Sequence, residues 1–167
     1  MERPFFVYLI FNLLIMNKYY FVILVSIFLS SCNKGLTPEE QLEEDISIIK
    51  QYIQDNGLEA EETSSGLHYV INDLGTGNYP QQTDDVRVRY KGYFTDGGVF
   101  DESDAAGITF NLQGVIAGWT EGIPKFKEGG EGILLIPSGL AYGESGSGSI
   151  PPNTVLIFDV NLLDIVE

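Results

Sequence analysis

The side chains on which most catalysis depends are scarce in this chain. It holds one His, His68, and one Cys, Cys32, among 167 residues. One Cys cannot close an internal disulfide or supply a Cys-rich zinc site, and one His leaves a His-based metal cluster without partners. His68 falls in a predicted strand, where a solvent-facing or hydrogen-bonded role outweighs general-base work. No Ser occupies a Gly-x-Ser-x-Gly elbow; Ser145, Ser147 and Ser149 belong to a Gly/Ser tract. Gly75-Thr76-Gly77 lacks the further Gly and the helix that a phosphate cradle needs. Asp101, Glu102 and Asp104 lack the spacing of a calcium loop and read as solvated acid. No metal and no cofactor is therefore expected. What remains is a set of aromatic and branched side chains beside turns, with isolated polar groups among them. That composition suits a shallow apolar pocket, and a reaction that needs neither nucleophile nor proton shuttle.

The charge balance narrows the partners. With 24 Asp or Glu against nine Lys or Arg, the net charge is −15. Nucleic acid is excluded as a partner on this ground, because phosphate contacts need clustered Lys and Arg. Residues 1–31 break the pattern, with one Glu, one Arg and one Lys among apolar residues. Two greasy runs, Phe5 to Ile15 and Tyr19 to Leu29, are each shorter than the ~20 residues of a spanning helix. The second has the layout of a signal peptide: Lys18, an apolar stretch, then small residues. It ends in Leu29-Ser30-Ser31-Cys32, which resembles the bacterial lipobox, where cleavage falls before a lipid-modified Cys. The expectation is a lipoprotein anchored at Cys32 in the cell envelope and facing the periplasm, with 1–15 an over-extended gene start before Met16. Cleavage would leave 136 residues with seven basic and 23 acidic groups, a body that anionic headgroups repel.

The elements that must position the pocket follow from patterning. Thr37-Pro38-Glu39-Glu40 reads as a capping box, and Leu42, Ile46, Ile49 and Ile53 recur at helical spacing until Asn56-Gly57. That stripe fits a dimer seam or packing on the chain's own domain. Glu59 to Ser65 is acidic and without period, and reads as a linker. Domain boundaries follow: 1–31 signal peptide, 32–65 acidic tether and helix, 66–167 folded domain. Within the last, Leu67 to Leu74, Val86 to Tyr90, Val99 to Asp101 and Ile108 to Leu112 read as strands, with Asp96-Gly97-Gly98 a hairpin turn. Val115 to Ile123, closed by Pro124, is the helical candidate in this half. Ile133 to Ile136 and Val155 to Val166 are apolar runs fit for central strands, joined by a Gly/Ser/Pro loop, Pro137 to Asn153. No strand–helix alternation appears, so a doubly wound parallel sheet is excluded. The fold class is α+β, an antiparallel sheet folded around one short helix and preceded by an N-terminal helix.

Five segments taken together resemble the FKBP family of peptidyl-prolyl cis–trans isomerases. They are Val86-Arg87-Val88-Arg89-Tyr90-Lys91-Gly92, Asp96-Gly97-Gly98-Val99-Phe100-Asp101-Glu102-Ser103, Val115 to Gly122, Ile136 to Gly143, and Ile150 to Val160. They occur in order over about Gly66 to Val166. The resemblance implies an FKBP-like half-barrel with an apolar pocket between sheet and helix. By motif position, Tyr90, Phe100, Asp101, Val115, Ile116, Trp119, Tyr142 and Phe158 would form it. Trp119 would be the floor under a proline ring, the Ile116 N–H would donate to the substrate carbonyl after proline, and Tyr142 would offer its hydroxyl. Asp101 would fix the tyrosine and set the polarity of one wall. The strand position that is often aromatic in the family falls at Ile108, which would thin one rim of the binding site.

The implied activity is X–Pro isomerisation of proline-containing, exported polypeptides, without cofactor, and the resemblance extends to macrolide inhibitors as ligands. A rival reading is a non-catalytic chaperone or peptide-binding module using the same cleft, which the thinned Ile108 rim and the acidic tether would suit. A third is a subunit of a membrane complex recruited through the Leu42 to Ile53 stripe.

Overall fold

The computed structural model describes residues 35–166. Cys32 and the expected signal peptide 1–31 lie outside them. Helix α1 (Pro38–Asn56) comes first. Thr37 Oγ1 accepts from the Glu40 N–H at 3.2 Å, and the Glu40 carboxylate accepts from the Thr37 N–H at 2.8 Å. These reciprocal bonds satisfy two donors that a helix start leaves open. Gly57, in left-handed backbone, closes the other end.

Seven strands follow: β1 (Glu61–Glu62), β2 (His68–Asp73), β3 (Asp85–Tyr93), β4 (Val99–Glu102), β5 (Ile108–Asn111), β6 (Glu131–Ile136) and β7 (Leu156–Val166). They form one antiparallel sheet in the order β1-β2-β6-β7-β3-β4. β3 runs beside β7 along its whole length. Its other edge is shared, with β5 against Asp85 to Val88 and β4 against Lys91 to Tyr93. Register shifts interrupt β3–β7 at Arg87/Val88 and β3–β4 at Gly92/Tyr93. Such bulges add twist and bend a strand, which curls the sheet.

The central strands β6 and β7 are apolar on both faces because both faces are covered. Leu134 and Ile136 of β6 and Leu156, Phe158, Val160 and Leu162 of β7 join the main core with Val86, Val88 and Trp119. The alternate positions Leu135 and Ile157 join Val70, Val155 and Ile49 of α1 in a second cluster. Successive strand side chains point to opposite faces, so α1 covers one side of the sheet and the short helix α2 (Ala117–Gly122) the other. Gly118 sets the second approach: a Cβ there would stand 2.4 Å from Ile136 Cγ2.

Several local expectations are corrected. Helix α2 is shorter than Val115 to Ile123. Val115 and Ile116 precede it, Ile116 in extended backbone, and Pro124 sits inside a 3₁₀ turn (Ile123–Lys125) rather than ending the helix. Proline is tolerated in a first helical turn, where its missing N–H would have no partner anyway. Glu61 and Glu62, read as linker, pair with Tyr69 and His68 as an edge strand. Both acids are exposed, which leaves no hydrophobic period to detect, and the Tyr69 hydroxyl donates to the Glu61 carboxylate at 2.7 Å across the pair. Of the two roles expected for His68, the solvent-facing one is set aside and the hydrogen-bonded one holds: it is 3 % exposed, its Nδ1 2.9 Å from the Gly66 carbonyl. The Pro137 to Asn153 segment contains two 3₁₀ turns (Ser138–Leu140 and Gly143–Ser145) and a bridge between Ser147 and Ile150.

One compact unit spans Leu36–Glu167. Helix α1 therefore belongs to it, and the boundary expected between 65 and 66 separates no packed bodies. Leu42 and Ile46 cover Gly66, and Ile49 is fully buried, so the apolar stripe is spent within the chain. Among the described residues no helix is long and apolar enough to cross a membrane.

Candidate active site

Strands β3, β4, β5 and β7, helix α2 and the 137–153 loop converge on a cavity of about 600 Å³. Its floor is the indole of Trp119, 4 % exposed. Three rings meet that indole edge to face: Tyr90 at 5.1 Å, Phe110 at 5.4 Å and Phe158 at 5.4 Å between centroids. Phe100 extends the apolar wall by an edge-to-face contact with Phe158 at 5.4 Å. Perpendicular rings of this kind gain from their quadrupoles as well as from burial. Gly92 makes room for them, since a Cβ there would stand 2.6 Å from the Phe100 ring and 2.8 Å from Phe158.

The polar groups are few. The Tyr90 hydroxyl donates to Asp101 Oδ2 at 2.6 Å. Burial first, and then this bond, push the Tyr90 phenol well above its ordinary value, so the proton stays on the ring oxygen. The tyrosine that Asp101 fixes is thus Tyr90. Ile116 stands at the turn into α2, where its carbonyl accepts from the N–H groups of Trp119 and Thr120. Its own N–H donates to no acceptor among the described residues. Tyr142 stands at the rim, 39 % exposed. Beside it Ser147 and Ile150 exchange two backbone bonds of 2.9 and 2.8 Å, forming a tight turn that closes one wall with Gly148 and Ser149.

The cavity brings together Tyr90, Phe100, Asp101, Val115, Ile116, Trp119, Tyr142 and Phe158, all named from the sequence. It does not include Ile108, which is 41 % exposed. Ile108 opposes Val88 and Phe110 opposes Val86. The two share a strand face, but Ile108 stands one pleat repeat away, about 7 Å, beyond the cavity. Phe110 supplies the aromatic rim that Ile108 was expected to lack. Alternation in Ile108-Thr109-Phe110 already placed both on one face; the register of the short segment before Val115 decided between them. Ser147 to Ile150 were also missed as lining, because a Gly/Ser tract carries no apolar signal. Among the described residues no group of three or more His, Cys, Asp or Glu could hold a metal ion.

A curled antiparallel sheet closing on a short helix, with an aromatic pocket floored by tryptophan, defines a class. The sequence profile of the FKBP-type peptidyl-prolyl cis-trans isomerases matches residues 77–163, and the chain belongs to that family. Among relatives, FkpA of Escherichia coli K12 is 44 % identical over 118 residues, covering 70 % of this chain and 43 % of the relative. FkpA of Aeromonas hydrophila is 51 % identical over 105 residues, 62 % of this chain and 39 % of that one. The chain thus spans less than half the length of these relatives. Among solved structures, a peptidyl-prolyl cis-trans isomerase from Pseudomonas syringae superposes with a TM-score of 0.68 at 31 % identity, covering 81 % of this chain and 100 % of that one. The crystal structure of E. coli FkpA gives 0.66 at 34 % identity, covering 89 % and 81 %.

Proposed function

We propose that the chain is a peptidyl-prolyl cis–trans isomerase of the cell envelope, tethered through a lipid on Cys32, that speeds X–Pro rotation in exported polypeptides. The observation that carries the catalytic part is the cavity itself: three aromatic rings set edge to face on a buried indole, with one unpaired backbone donor at Ile116.

Rotation about an amide is opposed by ~18–20 kcal/mol because the twisted state loses resonance. Uncatalysed X–Pro exchange takes tens to hundreds of seconds. The twisted amide is less polar than the planar one, and its nitrogen is more pyramidal. A proline ring on Trp119, walled by Tyr90, Phe110 and Phe158, sits in surroundings that favour the twisted form over the hydrated planar one. The Ile116 N–H holds the carbonyl after proline, so that rotation is confined to the bond before it. Tyr142 offers its hydroxyl from the rim, and Asp101 holds the Tyr90 hydroxyl by accepting its hydrogen bond. No covalent bond forms; the catalysis is stronger binding of the twisted state than of the ground state. A barrier lowered by about 5 kcal/mol gives nearly four decades of rate.

Of the two features that suited a non-catalytic cleft, the thinned rim is filled by Phe110, which leaves the rival only the acidic tether. The same closed rim leaves macrolides as candidate inhibitors. Refolding of an unfolded protein whose slow phase is X–Pro isomerisation tests the reading. The full chain in mild detergent should speed that phase in proportion to its concentration. A slow phase that keeps its rate, with the protein folded, would refute the isomerase.

A further inference from the structure

We propose that Asp45, on helix α1, is a positioning residue for the proline pocket: its buried carboxylate holds the start of the 137–153 loop and so fixes where Tyr142 and the Ser147 to Ile150 wall stand. This rests on the isomerase reading above.

Asp45 is 0 % exposed, and Ser138, 93 positions away, is 1 % exposed. The Ser138 N–H donates to Asp45 Oδ2 at 2.7 Å and the Ser138 hydroxyl to the same oxygen at 2.6 Å. Gln41, one turn earlier on the helix, donates to Oδ1 at 2.9 Å. Among the described residues no cation lies within ion-pair distance. A carboxylate taken out of water with no cation is costly, and three donors facing its two oxygens are what offset that cost. An apolar side chain would seat the helix without it, so the carboxylate needs a further reason to be there.

The bonds of the loop supply one. Leu140 bonds back to Pro137, Ala141 to Ser138, Asn153 to Gly143, and Ser147 pairs with Ile150. All of these lie within the loop. Among the described residues, the only hydrogen bonds that reach it from outside residues 137–154 are the two at Asp45. Tyr142 follows Ser138 by four residues, and the pocket wall by nine to twelve. The carboxylate therefore ties one end of a self-bonded segment to the helix on the far face of the sheet. Helix α1 lies outside the family-matched residues 77–163, so this anchor is contributed by the chain's own N-terminal segment.

The test uses the full chain in mild detergent, with X–Pro exchange of a Leu-Pro peptide read by NMR. Asp45→Ala should lower kcat/KM about tenfold, mainly through KM, since misplacement of binding groups costs rate at a distance. Amide shifts should move at Tyr142 and at Ser147 to Ile150. Ser138→Ala should lose less, and the double variant no more than Asp45→Ala alone, because both remove one interaction. Asp45→Asn, which keeps an acceptor for the Ser138 hydroxyl, should recover part of the activity. Ile49→Val, on the same helix and buried away from the loop, should lower Tm yet leave kcat/KM unchanged.

Unchanged kcat/KM and unchanged loop shifts in folded Asp45→Asn and Ser138→Ala would overturn the proposal. So would an equal activity loss in Ile49→Val, which would make the effect one of general stability. If the unmodified chain gives no exchange, the isomerase reading fails by itself. The loop shifts of Asp45→Asn then still decide whether the anchor positions the wall.

Discussion

Tyr90 and Asp101 stand on neighbouring strands with 2.6 Å between oxygens, and Tyr90 also forms one side of the pocket. Its proton is held more tightly folded than unfolded, as are those of Tyr93, by burial and Asp159, and of Tyr69, raised to about 12 first by its bond to Glu61. Below the ordinary phenol value of 10.0 both folded and unfolded chains keep these protons, so the stabilisation is complete there. Above it the unfolded tyrosines ionise first, and stability is lost as pH rises toward the folded values. Denaturant unfolding at fixed pH should therefore show a plateau to about pH 9 and a decline beyond about pH 10. A flat profile to pH 12 would contradict the assignment. The pocket rim offers a second check at this scale. Phe110→Ala should reduce kcat/KM at least tenfold, whereas Ile108→Ala, outside the cavity, should leave it unchanged in peptide exchange. Most of the pocket was legible in residue order, since its aromatics lie within ordered motif segments. Phe110 was not, because a two-residue register choice on one strand face leaves the hydrophobic pattern identical.

Helix α1 and the central strands explain each other at the scale of elements. β6 and β7 read as continuous apolar runs because Leu134 and Ile136 face α2 while Leu135 faces Ile49. The helix itself was readable from its capping box and stripe, but its partner was not, since amphipathic spacing says only that some apolar surface must be met. Thr37→Ala should cost about 1 kcal/mol by removing the cap, and Ile49→Ala about 2–5 kcal/mol by opening a cavity between helix and sheet. Denaturant midpoints at neutral pH measure both. A loss below 0.5 kcal/mol for Ile49→Ala would mean that the helix is not docked in solution. Strand β1 and the bridge at Ser147 stayed invisible in the sequence because neither segment carries an alternating hydrophobic pattern.

Charge and anchoring belong to the whole molecule. At −15 the chain is strongly acidic, so under the proposed anchoring the lipid on Cys32, not electrostatics, would supply membrane affinity. Cys32→Ser should abolish incorporation of labelled fatty acid and release the protein from the membrane fraction. Retention in the membrane without label would favour an uncleaved signal anchor. The central claim, however, is catalytic, and peptide exchange tests it most directly. Two-dimensional exchange NMR on a Phe-Pro peptide, with the full chain in mild detergent at catalytic concentration, should show cis–trans cross-peaks that the peptide alone lacks. Those peaks should fade when Asp101→Ala or Tyr142→Phe replaces the unaltered chain. A folded protein that leaves the exchange rate of the free peptide unchanged would contradict the account.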